Sequence, residues 1–234
     1  TPTAPLASAI DKGAKGTITI HKYEYNGNDD KNGTGVAGDA NNVPTDAKDL
    51  EGATFTYYQV MTADELVEYY NGKSTEKVGI DTYVDKNGQI LSAYANKPNG
   101  SGKTGKNGIV KFGDGETGLP VGLYVIIETE TPAKVTTPVE PFLVSLPMAN
   151  PTNKAEWMYD VYVFPKNATT YGKVTLEKKG RVGGGTPENL NGVTYKLEKK
   201  VKDDPETWEE VTKNEQTDED LGTLKTTDGK ITVS

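Results

Sequence analysis

An internal repeat is the feature that most constrains the fold of this chain. Three short segments recur in the same order, with residues 16–22, 50–55 and 107–110 matching residues 172–178, 190–195 and 228–231. Self-similarity of this kind marks a duplicated structural unit. We therefore expect two related domains, residues 1–168 and residues 169–234. The second copy has no counterpart of residues 123–167, so we expect that domain to be incomplete within this sequence.

Residue alternation predicts that both domains are built from β-strands. Thr, Val, Ile and Tyr alternate with polar residues, and clusters of Gly, Asn and Asp separate the runs. Alternating runs with turn residues between them are typical of strands in a sandwich or barrel. The clearest examples cover residues 17–20, 54–58, 123–127 and 159–164.

A short helix is predicted within the first domain. Thr62 can accept hydrogen bonds from the first turn, and Glu65 three residues later completes a capping box. Asn71 and Gly72 supply a stop signal. We expect a helix over residues 63–70, inserted in an otherwise all-β fold.

The composition excludes several classes of function. Cysteine is absent, which rules out disulfides and thiol nucleophiles, and His21 is the single histidine. The net charge of −8 argues against nucleic-acid binding. No apolar run approaches the roughly 18 residues of a membrane span. Because nothing resembles a substrate site with a nucleophile and a base, we expect no enzymatic turnover and no cofactor.

One loop resembles part of a calcium-binding motif. Asn28, Asp30, Asn32 and Asp39 are spaced like ligands of an EF-hand loop. The first of these is not Asp, the last is not Glu, and no helices are predicted on either side. We therefore interpret the segment as a solvated loop and expect no metal site.

Strand parity directs a lysine towards the core of each domain. Residues two apart in a strand share a face, so Lys22 lies on the same face as Ile18 and Ile20. Lys178 has the same position relative to Val174 and Leu176 in the second copy, so we expect these three on a core face as well. Burial lowers the pKa of a lysine and favours the neutral, nucleophilic amine. The alternative is a solvated lysine at the end of an edge strand, and the pattern alone leaves both open.

Two further residues could complete a reaction with Lys22. Parity along residues 159–167 turns Asn167 towards the core and Lys166 outwards. Glu128 follows an apolar run, although alternation does not distinguish it from Glu130. A neutral lysine can attack the Asn side-chain carbonyl while the acid transfers protons, releasing ammonia and leaving an isopeptide bond. We therefore consider Lys22, Glu128 and Asn167 as nucleophile, acid and electrophile.

These segments resemble the motifs of one family of surface proteins. Residues 157–166 end in Phe-Pro-Lys and are similar to the pilin motif of Gram-positive, sortase-assembled pilins of the SpaA shaft type. Residues 128–132 resemble the E-box of that family, which selects Glu128. The strand openings at Lys22 and Lys178 resemble those of CnaB-type immunoglobulin-like domains. The resemblance implies tandem CnaB-type β-sandwiches.

The resemblance also implies a function. A class C sortase would join the C-terminus of a neighbouring subunit to Lys166, head to tail, in an extracellular pilus anchored to the cell wall. Lys22 and Asn167 would form the isopeptide bond of the first domain with Glu128 as catalyst. Lys178 would be the matching lysine of the second domain, with its partners absent from this sequence. The alternative is a basal or tip pilin or an adhesin with CnaB-type stalk domains, which could bind a host or matrix ligand.

Overall fold

The chain divides into two compact units, residues 1–169 and residues 170–234. A computed structural model describes residues 9–27, 36, 43–72, 78–114, 117–153, 155–169 and 171–234. Asn28, Asp30, Asn32 and Asp39 of the loop interpreted above lie outside the described residues. No helix in the described part of the chain is long and apolar enough to cross a membrane.

The regular structure of the first unit consists mainly of strands. In chain order they are β1 (Lys15–His21), β2 (Tyr23–Glu24), β3 (Lys48–Asp49), β4 (Thr54–Met61), β5 (Asn99–Lys103), β6 (Ile109–Phe112), β7 (Leu119–Pro120), β8 (Gly122–Glu130), β9 (Phe142–Leu146), β10 (Met148–Ala149), β11 (Trp157–Met158), β12 (Asp160–Val163) and β13 (Lys166–Asn167). The helix α1 (Ala63–Tyr70) follows β4, and a short 3-10 helix covers Ile80–Thr82. The predicted all-β class and its inserted helix are confirmed.

Two sheets face each other across the main core of the first unit. One sheet has the strand order β5-β4-β8-β9, and the other has the order β12-β1-β6, with β7 also paired to β1. Their inner faces meet in one cluster of buried apolar side chains, which includes Ile18, Ile20, Phe55, Ile126 and Val161. Burial of this apolar surface from both sheets holds the sandwich together.

The first and last strands of this unit run side by side. β1 and β12 pair in parallel, with Ile18 opposite Val161 and Ile20 opposite Val163. The pairing resumes between β2 and β13, where Tyr23 lies opposite Lys166. This parallel pairing brings the residues that follow β1 next to the residues that follow β12.

A second apolar cluster covers the outer face of β4 and β8. It contains Val125 and Ile127 of β8 and Leu66 of α1. The strand β8 is therefore buried on both faces, which explains why its sequence is a continuous apolar run rather than an alternating one. Thr62 and Glu65 form the predicted capping box at the start of α1.

The second unit consists of paired strands. They are β14 (Val174–Glu177), β15 (Lys179–Gly180), β16 (Glu188–Asn189), β17 (Thr194–Tyr195), β18 (Glu198–Asp203), β19 (Glu206–Glu210), β20 (Leu224–Lys225) and β21 (Lys230–Val233). Among the residues described there, they form two-stranded sheets, β14-β21, β15-β16, β17-β20 and β18-β19. Val174, expected on a core face, is 49% exposed. That expectation was wrong: in the described part of this unit β14 pairs with β21 in a two-stranded sheet, and Val174 is left exposed there.

Candidate functional site

The residue between β1 and β2 is a fully buried lysine. Lys22 has 0% of its surface exposed and lies in line with Ile18 and Ile20, which share that face of the strand. Its backbone is fixed on both sides, since its N–H donates to Gly108 and its carbonyl accepts from Leu50. The side chain has no route to solvent, and its ammonium group can be stabilised only by the groups around it.

Glu128 is the acid that contacts this lysine. Its Oε2 lies 3.0 Å from Lys22 Nζ, and both side chains are buried. Glu128 lies opposite Phe55, whereas Glu130 lies opposite Thr54 on the exposed end of the strand. A register shift between these two pairs turns the two acids to different environments.

Asn167 completes the group from the last strand. Its Nδ2 donates to Oε1 of Glu128 at 2.6 Å and to Oε2 at 3.1 Å. The residue is 2% exposed, and its Oδ1 has no hydrogen-bond partner among the described residues. The structure thus brings Lys22, Glu128 and Asn167 together, with the carboxylate between the amine and the amide.

Burial changes the acid–base behaviour of the lysine. Desolvation lowers the pKa of Lys22 to about 8, with Glu128 opposing the shift and the positive charge of Lys166 adding to it. At pH 7 about one tenth of an amine with that pKa is neutral, against about one in 3,000 for an unperturbed lysine. A sizeable fraction of the Lys22 side chains is therefore in the neutral, nucleophilic form at physiological pH.

An aromatic ring that the sequence analysis did not identify borders the amine. The centroid of the Phe55 ring is 5.6 Å from Lys22 Nζ, and Phe55 is itself fully buried. It excludes water from one side of the site and stabilises the charged form of the lysine through its π face. The sequence predicted a strand over residues 54–58, but alternation could not indicate which polar group Phe55 would contact.

The arrangement can support one covalent reaction. Glu128 contacts both the amine of Lys22 and the Nδ2 of Asn167, which would be the leaving group of an attack on the side-chain carbonyl. One carboxyl group can therefore accept a proton at one oxygen and deliver a proton at the other. The proton balance of this reaction needs neither a water molecule nor a cofactor.

Lys166 precedes Asn167 in β13 and projects from the opposite face of that strand. It is half-buried rather than fully exposed, and its Nζ donates to the carbonyl oxygen of Phe164 at 3.4 Å. Lys166 and Asn167 are adjacent in the chain, but their side chains project from opposite sides of the sheet. Lys166 is therefore not part of the buried group.

Lys178 has the same backbone environment as Lys22. Its N–H donates to Gly229 and its carbonyl accepts from Leu190, in the positions that Gly108 and Leu50 occupy in the first unit. Gly108 and Gly229 both have positive φ values, 73° and 72°. The side chain of Lys178 is half-buried, and among the described residues no acid or amide pair corresponding to the first site contacts it.

One threonine in each unit makes the same pair of hydrogen bonds to a backbone residue. In the first unit Thr104 Oγ1 accepts from the N–H of Ala53, and Thr104 N–H donates to the carbonyl of Ala53. Thr226 makes the same two bonds with Val193 in the second unit. The repeat in the sequence is therefore accompanied by the same hydrogen bonds in both units.

Comparison with known proteins identifies relatives among bacterial surface fibres. A family model described as the N-terminal domain D1 of Gram-positive pilin subunits matches residues 13–168. The fimbrial subunit type 1 of Actinomyces viscosus is 35% identical over 187 residues, which is 79% of this chain and 32% of that protein. The fimbrial subunit type 2 of Actinomyces naeslundii is 29% identical over 196 residues, 77% of this chain and 35% of that protein.

Solved structures of pilins are also similar to the chain. The full-length major pilin SpaD from Corynebacterium diphtheriae is 22% identical, with a TM-score of 0.47, covering 81% of this chain and 38% of that protein. The chain spans about a third of the length of the two curated fimbrial subunits.

Proposed function

Because the chain belongs to the Gram-positive pilin subunit family through its D1 domain, we propose that it is a shaft subunit polymerised through Lys166. A class C sortase would hold the C-terminus of a neighbouring subunit as a thioester. The amine of Lys166 would attack that thioester, so that a C–N bond forms and the sortase thiol leaves. The product is a head-to-tail, covalent fibre outside the cell, anchored in the cell wall.

The second part of the proposal is an isopeptide bond inside the first unit. The Lys22 amine attacks the side-chain carbonyl carbon of Asn167, the C–N bond to Nδ2 breaks, and ammonia leaves. Glu128 takes a proton from Lys22 Nζ and delivers it to Nδ2. The reaction occurs once in each molecule, so Glu128 acts on its own chain and the protein is not an enzyme in the usual sense.

One observation carries this proposal: Glu128 contacts Lys22 Nζ at 3.0 Å and Asn167 Nδ2 at 2.6 Å inside a sealed core. A buried ion pair usually contributes little net stability, because desolvation offsets the attraction between the charges. Its position at the junction of the first and last strands supports a covalent role instead. A bond there would prevent tension along the fibre from separating β1 and β12.

The polymerisation step is tested with purified components. The full chain is incubated with a class C sortase and a peptide that carries an LPXTG-type sorting signal, and the acceptor residue is identified by mass spectrometry of proteolytic fragments. We expect the peptide on Lys166, with no product in Lys166→Arg. Lys111→Arg is the matched control, because Lys111 is exposed on the neighbouring sheet. Equal labelling of wild type and Lys166→Arg would overturn the proposal.

A further inference from the structure

A second polar cluster lies on the outer face of the sheet that carries Lys166. In the sheet β13-β2-β3, Lys166 pairs with Tyr23 and Tyr23 pairs with Asp49. Directly paired residues project from the same side of a sheet, so these three side chains form one row. Lys22 and Asn167 project from the other side, and the isopeptide chemistry uses none of this row.

His21 links this row into a chain of hydrogen bonds. Its Nε2 lies 2.8 Å from Asp49 Oδ1, and its Nδ1 lies 2.9 Å from the hydroxyl of Tyr23. A carboxylate can only accept, so Nε2 carries a hydrogen, and in the neutral tautomer Nδ1 accepts from the phenol. In that tautomer the basic nitrogen of the imidazole is directed at the hydroxyl of Tyr23.

Lys166 is held beside the tyrosine by backbone bonds on both sides. The N–H of Tyr23 donates to Pro165, and the N–H of Tyr25 donates to Asn167. Phe164 closes the cluster, with its ring 6.2 Å from the His21 ring and 6.5 Å from the Tyr23 ring. The lysine stem therefore emerges next to Tyr23, whose hydroxyl contacts His21. The Nζ itself lies 3.4 Å from the carbonyl oxygen of Phe164, so the amine has to turn from that carbonyl to the hydroxyl for the step below.

The chemistry of Lys166 requires such a base. An ammonium group is not a nucleophile, so Lys166 must lose one proton before it attacks the thioester, and the second proton of the nitrogen goes to the leaving sulfur. We propose that His21, oriented by Asp49, accepts the first proton through the hydroxyl of Tyr23. The phenol gives its proton to His21 Nδ1 and takes one from Lys166, so the tyrosine is unchanged and the imidazole becomes an imidazolium.

The proton can then leave the protein. The His21 side chain is 24% exposed, which allows the imidazolium to release its proton to water. Among the described residues, the titratable and charged groups that strand pairing places on this face are Asp49 of β3, Tyr23 of β2, Lys166 of β13, Lys111 of β6, and Asp160 and Tyr162 of β12. Of these, Asp49 contacts the imidazole directly and stabilises its protonated form. His21 and Asp49 are positioning residues in this scheme, because they act through Tyr23.

This inference rests on the proposed function of Lys166, and its test separates the two. The assay uses the full chain, a class C sortase and the sorting-signal peptide, and measures the ratio of peptide joined to Lys166 to peptide hydrolysed. Hydrolysis uses water and the same thioester, so the ratio removes the pH dependence of the sortase itself. The ratio is measured from pH 6 to 9.5 for wild type, His21→Gln, His21→Ala and Lys111→Gln.

The relay predicts a pH-dependent loss in the histidine variants. General-base assistance contributes roughly 100-fold or more to a rate, so the ratio should fall about 100-fold in His21→Gln at pH 7. The loss should shrink towards pH 9.5, where hydroxide removes the proton directly. Added imidazole should restore the ratio at least about tenfold in His21→Ala and not in wild type. Lys111→Gln should match wild type.

The outcomes are distinguishable. If wild type gives Lys166 product and His21→Gln matches it at all pH values, the relay is wrong and the acceptor role of Lys166 stands. A loss that is equal at every pH and is not restored by imidazole would indicate a structural role for His21 and would also overturn the relay. If wild type forms no more product than Lys166→Arg, the acceptor role itself is wrong and the relay falls with it.

Discussion

A double-mutant cycle on Lys22 and Asn167 can measure the proposed cross-link as a free energy. The bond would close a loop of about 145 residues, and the chain-entropy model assigns such a loop roughly 5 kcal/mol of stability. Lys22→Met and Asn167→Ala each remove the same bond, so the double variant loses it only once. The coupling between the two changes should therefore be about 5 kcal/mol.

The magnitude separates a covalent bond from a contact. Interacting side chains that are not covalently linked couple by about 0.5 to 3 kcal/mol. Local losses, such as the hydrogen bonds from Asn167 to Glu128, occur equally on both sides of the cycle and cancel to a first approximation. Free energies of unfolding come from guanidinium titrations of the four proteins, with Glu130→Gln as a control on the exposed acid two residues from Glu128. A coupling of about 3 kcal/mol or less would refute the cross-link.

Two further predictions follow from the same structure. In the unlinked Asn167→Ala protein, the pKa of Lys22 lies near 8 in the folded state and at its ordinary value in the unfolded state. At pH values between these two pKa values, the unfolded chain therefore binds one more proton than the folded chain. The free energy of unfolding should therefore increase from pH 8 to pH 10.5, by up to about 3 kcal/mol, and titrations of Lys22→Met/Asn167→Ala should lack this increase; an equal slope in both would contradict the shift. Thr62→Ala removes the helix cap and should cost about 1 kcal/mol, or about 2 to 4 °C in thermal unfolding. Exposed Ser92→Ala is its control, and an unchanged transition for Thr62→Ala would contradict the capping role.

Local patterns in the sequence were enough to predict much of this fold. Period-two alternation indicated that Lys22 shares a face with Ile18 and Ile20, and that face is buried. The capping signals at Thr62 and Glu65 gave α1 with its observed bounds. Both depend on neighbours within one element, where the side-chain period is fixed by backbone geometry.

Features that depend on pairing between distant segments were not predictable. Alternation left Glu128 and Glu130 equivalent, and a register shift between β4 and β8 separates them. The outer cluster joins His21 to Asp49, which a long insertion separates in the sequence. Alternation in β1 places His21 on the face opposite Ile20 and Lys22, but the partner of its side chain depends on the path of the chain between β2 and β3. The exposure of Val174 likewise depends on which strands pack over β14.

The intact mass of the chain tests the central claim most directly. Formation of the Lys22–Asn167 bond releases one ammonia, so the wild-type protein should be lighter than its sequence by that mass. Glu128→Ala should have the full sequence mass, and Glu130→Ala should keep the deficit. Fragmentation should place the deficit on a peptide that joins Lys22 to Asn167. A wild-type mass equal to that of the sequence would contradict the isopeptide bond and leave the buried group as a non-covalent pair.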